Sequence, residues 1–135
     1  QCYCGAVHVK TRAAPLTTAY CHCSDCRRIS GAPVSAFAAF APETAVFTPT
    51  LGAGVSHTEG VQRWFCKACG SPLAAQYEYI PNQLYLPIGL FDETDSLAPQ
   101  SHSHTGSAVS WLHLQDRLPK RVQSNRDRLN DASKA

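Results

Sequence analysis

Apolar positions along this chain recur mostly at every second residue, the spacing of strands that turn one face to a core. Residues 6–10 alternate, with Val7 and Val9 on one side and His8 and Lys10 on the other. Residues 17–20 are β-branched and aromatic and run into Cys21. Residues 34–40 set Val34, Ala36, Ala38 and Phe40 against Ser35, Phe37 and Ala39. Residues 61–65 lead into Cys66, and 73–79, 83–88 and 108–114 predict further strands. Turn formers separate them: Pro15, Pro42, Pro49, Gly52, Gly54, Gly70, Pro81-Asn82 and residues 87–89. Helix is scarce. Ser24-Asp25 predicts a cap for one short turn through Cys26 to Ile29, stopped at Gly31. The expected fold is mainly β, one domain over residues 1–122. The polar residues 123–135 read as a frayed or weakly helical tail.

A length of 135 residues suits a single domain, and a hydrophobic fraction of 44% supplies a modest core. A net charge of +2 gives little reason to expect a nucleic-acid or membrane partner. No apolar run approaches the roughly 20 residues that cross a bilayer. No secretory signal is visible. The chain starts at Gln1 and has no methionine, so further residues are expected to precede it.

Seven cysteines in this length change the picture. They fall into three tight clusters: Cys2 and Cys4; Cys21, Cys23 and Cys26; Cys66 and Cys69. An odd, clustered set fits a disulfide framework poorly, because disulfides usually close long loops. Short C-x-C and C-x-x-C pairs bring two sulfurs to one metal ion, which predicts a zinc protein of the reducing cytoplasm. Structural zinc takes four ligands, and catalytic zinc usually takes three plus an open position. Cys2, Cys4, Cys66 and Cys69 make a natural set of four, closing a loop of more than sixty residues. Cys66-Lys67-Ala68-Cys69-Gly70 has the form of a zinc knuckle, with Gly70 permitting the tight backbone. Cys21, Cys23 and Cys26 supply three ligands from one segment and leave the fourth face open.

The triple cluster has other readings. His22, His57, His102, His104, His113 or an acidic residue would complete a structural tetrahedron. His22, between two ligands on an extended segment, would point away from them. Free or redox-active thiols are a further alternative. With three thiolates the zinc carries a formal charge of −1 and is a weak Lewis acid. Such a site suits a soft fourth ligand such as a substrate thiolate. Arg27 and Arg28 follow directly and would offset the negative charge.

Three stretches together resemble one known family. They are Cys2-Tyr3-Cys4-Gly5-Ala6-Val7, then Tyr20-Cys21-His22-Cys23-Ser24-Asp25-Cys26-Arg27-Arg28 with Ser30-Gly31-Ala32-Pro33, then Phe65-Cys66-Lys67-Ala68-Cys69-Gly70-Ser71. Trp111 and Asp116-Arg117-Leu118-Pro119 extend the likeness. The pattern is similar to the glutathione-dependent formaldehyde-activating enzymes, the family that includes centromere protein V, over about residues 1–120. The chain departs from it at Ile29, where relatives often carry an aromatic residue. It departs again at Pro99-Gln100-Ser101-His102-Ser103, where they have a proline-histidine-isoleucine pattern.

The resemblance implies a β-tent fold of antiparallel sheets pinned by zinc. It implies a structural zinc at Cys2, Cys4, Cys66 and Cys69 and a second zinc at Cys21, Cys23 and Cys26. It implies a carbon–sulfur lyase that joins formaldehyde and glutathione into S-hydroxymethylglutathione and reverses the step. Cys21, Cys23 and Cys26 are therefore the expected catalytic residues, with a weaker or partly occupied zinc. The expected partner is a small thiol such as glutathione, and His22, His57 and Asp25 are candidate proton donors. The competing readings are a non-catalytic zinc module and a thiol or zinc sensor.

Overall fold

In the computed structural model the described residues are 1–124; residues 125–135, most of the expected tail, lie outside them. The strands are β1 (His8–Thr11), β2 (Thr17–Cys21), β3 (Ser35–Phe40), β4 (Ala45–Thr48), β5 (Val61–Phe65), β6 (Pro72–Tyr77), β7 (Leu84–Pro87) and β8 (His102–Ser103). The helix α1 (Ser24–Ser30) stands between β2 and β3. The remaining helical pieces are three-residue 3-10 turns. The protein is mainly β, with little helix, as the alternation predicts.

β1 and β4 form a two-stranded antiparallel sheet with Val9 opposite Phe47. The other six strands form one sheet in the order β5-β6-β7-β3-β2-β8. Its neighbours run antiparallel, except that β8 lies parallel to β2. The sheets are thus not all antiparallel.

Alternation along β3 divides the large sheet into two faces. Ala36, Ala38 and Phe40 turn to the main core, with Ala74, Leu84, Leu86 and Ile88. Val9, Ala45 and Phe47 of the small sheet pack on that side. Phe37 and Ala39 turn the other way, where Ile80, Tyr85, Ala75 and Tyr77 join them. The second face is aromatic: Phe37 meets Tyr85 edge to face at 5.0 Å, and Tyr85 meets Tyr77 at 5.3 Å.

Three details differ from the sequence pattern. Residues 108–114 form no strand, although half-buried Leu112 and Leu114 explain their alternation. The sheet edge they would need is taken. β8 lies along β2, and its outer side is closed by His102 N–H on the Pro119 carbonyl at 2.8 Å and Arg121 N–H on the His102 carbonyl at 3.0 Å. β4 escaped the pattern because Ala45, Val46 and Phe47 are a continuous apolar run with no alternation. The cap of α1 is Cys23 rather than Ser24 or Asp25: its sulfur accepts the Cys26 N–H at 3.3 Å. Gly31 does end that helix, at φ 70° with its N–H on the Arg27 carbonyl. Among the described residues no helix is long and apolar enough to cross a membrane.

Candidate metal centres

The first centre lies where the chain's beginning meets the β5–β6 hairpin. Phe65 pairs with Pro72, so residues 66–71 are the hairpin turn itself. Cys66 N–H bonds the Ser71 carbonyl, Gly70 N–H bonds the Cys66 carbonyl at 2.7 Å, and Gly70 takes φ 78°. A left-handed residue here reverses the chain so that both sulfurs face inward. The N-terminal segment makes a similar reversal, with Gly5 at φ 76° and Val7 N–H on the Cys2 sulfur at 3.3 Å. The four ligand atoms of Cys2, Cys4, Cys66 and Cys69 all lie within 4.8 Å of one another.

Cys2 and Cys4 sulfurs are 3.7 Å apart, and Cys4 and Cys66 sulfurs 3.8 Å. Sulfurs about 2.3 Å from a tetrahedral ion stand about 3.8 Å from each other, whereas a disulfide needs about 2.05 Å. The spacing fits a metal ion and excludes a disulfide. The chemistry agrees. The Ser71 hydroxyl and then its N–H hold Cys69 down to about 5. The Ala6 N–H favours the Cys4 thiolate, but Cys69 and burial outweigh it and push Cys4 up to about 11. Four adjacent thiols cannot all ionise without a cation between them. Cys2 and Cys66 are buried with Leu73 and Leu90, so this centre is part of the core.

The second centre sits where β2 passes into α1. Cys21 closes β2, Cys23 caps the helix and Cys26 stands in its first turn. Their ligand atoms also lie within 4.8 Å of one another. Cys21 and then Cys26 lower Cys23 to about 2 by hydrogen bonding to its thiolate. Cys21 and then Cys23 drive Cys26 far above the usual thiol range. One charge is held cheaply because its neighbours keep their protons, and a bound cation would discharge all three.

This centre opens into a cavity of about 430 Å³ on the aromatic face of the large sheet. Small-molecule sites usually measure roughly 300–1,000 Å³. The three cysteines lie along its wall with Asp25, Arg63 and His104. His104 holds a left-handed backbone, φ 55° and ψ 40°, sustained by its N–H on the Gln123 carbonyl and by Ser107 N–H on its own carbonyl.

A sequence profile described as glutathione-dependent formaldehyde-activating enzyme matches residues 1–107. The chain belongs to this family. An uncharacterized lyase of Schizosaccharomyces pombe is 27% identical over 97 residues, 72% of this chain and 70% of the relative. A solved Rhodobacter sphaeroides protein shares the fold, with a TM-score of 0.55 and 16% identity over 90% of this chain and 97% of its own.

The other residues singled out from the sequence are dispersed. His57 and His113 are exposed and do not line the cavity. Arg27 donates to the Ser107 carbonyl at 2.6 Å, Arg28 is exposed, and neither lines the cavity. Arg63, from β5, is the described cation that does. His22 is buried and lies against His102, outside both cysteine groups. Sequence reading missed Arg63 and the aromatic wall, whose signal was the second face of 34–40.

Proposed function

We propose that this chain is a carbon–sulfur lyase acting on a thiol–aldehyde adduct at Cys21, Cys23 and Cys26, with S-hydroxymethylglutathione as the first substrate to test. The observation that carries this reading is a three-sulfur centre, lacking a fourth protein donor among the described residues, set in the wall of a cavity. Sulfur-only donors favour zinc, and Cys2, Cys4, Cys66 and Cys69 would hold a structural ion. At the second centre zinc would offer a substrate thiolate a fourth coordination position without strong Lewis acidity.

The chain's own residues do the rest. Cys21 is fixed by β2, and Cys23 and Cys26 by the first turn of α1, so the three sulfurs keep one orientation. The aromatic floor keeps water from the carbon undergoing change. In adduct breakdown the C–S bond breaks with its electron pair left on sulfur, and the hydroxyl loses its proton as C=O forms. A ring nitrogen of His104 takes that proton and returns it in the direction of synthesis. Asp25, also on the wall, is the second acceptor. The seven thiols suit a reducing compartment, and we place the protein in the cytoplasm.

Exchange spectroscopy on S-hydroxymethylglutathione tests this reading. Zinc-loaded protein should speed interconversion with glutathione and formaldehyde above the spontaneous rate, and the Cys21→Ser, Cys23→Ser, Cys26→Ser triple variant should not. Equal rates for both would remove the enzyme reading. Cys23, partly exposed and easily ionised, favours the alternative of a thiol or zinc sensor. In that case micromolar peroxide would release one zinc without any lyase activity having been present.

A further inference from the structure

Resting on the lyase reading of the three-cysteine site, the cavity beside it shows what kind of adduct it takes. Glutathione carries two carboxylates and an ammonium group. The charged side chains along the described wall, apart from the sulfur site and His104, are Asp25 and Arg63. The rest of the wall is mostly apolar, interrupted by serines such as Ser24, Ser35 and Ser103. Phe37, Tyr77 and Tyr85 form a contiguous floor of rings, Tyr79 lies against Tyr77 at 5.5 Å, and Ile29 forms part of the wall from α1. Ile29 is 42% exposed, so the wall reaches solvent there and a ligand can enter. Charged groups brought onto such a wall lose water and find too few partners, whereas a ring finds edge-to-face contacts.

We infer that this cavity selects thiol–aldehyde adducts whose organic group is apolar and ring-sized, in preference to S-hydroxymethylglutathione. The ring belongs either to the thiol or to the aldehyde. Either way the reaction balances as before: RS–CH(OH)R′ yields RSH and O=CHR′, the hydroxyl proton passing by way of His104 to the released thiol.

Two experiments on the full-length, zinc-loaded protein test this. The first compares two thioethers, weak zinc ligands, so that the cavity is read apart from the metal. Benzyl methyl sulfide and S-methylglutathione are each titrated into the protein by isothermal calorimetry. The benzyl compound should bind roughly tenfold tighter, the order expected for one buried ring. Ile29→Arg, or Tyr79→Arg at a similarly exposed position, should erase that difference. Equal or tighter binding of S-methylglutathione, or no effect of either variant, would overturn the inference. The second experiment follows breakdown of three adducts: benzyl mercaptan with formaldehyde, 2-mercaptoethanol with benzaldehyde, and glutathione with formaldehyde. Fastest catalysed breakdown of either ring-bearing adduct upholds the inference and shows which half carries the ring. Fastest breakdown of the glutathione adduct overturns it and leaves the lyase reading intact. A benzyl preference in binding, with no catalysed breakdown of any adduct, upholds the apolar selectivity and removes the lyase reading instead.

Discussion

Nε2 of His22 lies 2.8 Å from Nδ1 of His102, and the two rings stack at 5.1 Å. His102 Nε2 in turn meets Asp116 Oδ2 at 2.9 Å. With Asp116 ionised, the tautomers follow: His102 donates to the carboxylate, and His22 donates to His102. This buried chain anchors the residue between Cys21 and Cys23. His102→Leu should strand a buried N–H and cost about 1–3 kcal/mol. It should also weaken zinc at the second centre. Chemical denaturation and zinc titration check the two effects, and unchanged zinc affinity would show that His22 does not position the cysteines.

Acid should act through the same chain. Its hydrogen bond to His102 holds Asp116 below the usual carboxylate value of 3.8. Burial, then the charges of His102 and Lys120, lowers His22 from 6.5. Both groups bind protons more weakly when folded. The stability they add is therefore complete above the unfolded values and is lost as pH falls through the folded ones. The loss should begin below about 6.5 for His22 and below about 3.8 for Asp116. Melting temperature against pH should fall less steeply below pH 4 in Asp116→Asn than in wild type. Parallel curves would disprove the link.

The four-thiolate centre should govern folding. Structural zinc contributes about 10–16 kcal/mol in small zinc domains, comparable with a whole domain's stability. Cys66→Ser removes a ligand buried with Leu73 and Leu90. Insoluble or unfolded protein is the expected result, and a soluble variant melting normally would contradict it.

The second centre should be separable from the first. Three ligands from one segment hold zinc less firmly than four that clamp distant ones. A mild chelator should release zinc in two phases, with unfolding tied to the later one. Replacing Cys21, Cys23 and Cys26 together with serine should remove the early phase and leave the fold intact. Loss of structure with the first zinc would make both centres structural.

His104 offers a test of proton transfer that leaves the backbone undisturbed. Asparagine tolerates the left-handed conformation that His104 adopts. His104→Asn should keep the melting temperature and zinc content while lowering adduct turnover by up to about 100-fold. An unaltered rate would shift the role to Asp25.

The sequence alone determined which neighbouring cysteines can serve one ion, because sulfurs two to three residues apart are placed locally. Cys66 and Cys69 share one hairpin turn, and Cys21, Cys23 and Cys26 share one strand end and helix start. Alternation over 34–40 likewise marked two faces of a strand, since side-chain direction follows from the backbone period. Alternation does not say which edge a strand will find, so 108–114 was misread while His102–Ser103 took the place beside β2. Nor does it say what gathers on the second face. Phe37, Tyr77 and Tyr85 come from three strands, His104 and Arg63 from opposite ends of the sheet, and His22 stands 80 residues from the His102 that joins it to Asp116. Such contacts depend on sheet order and register, which only the folded chain fixes.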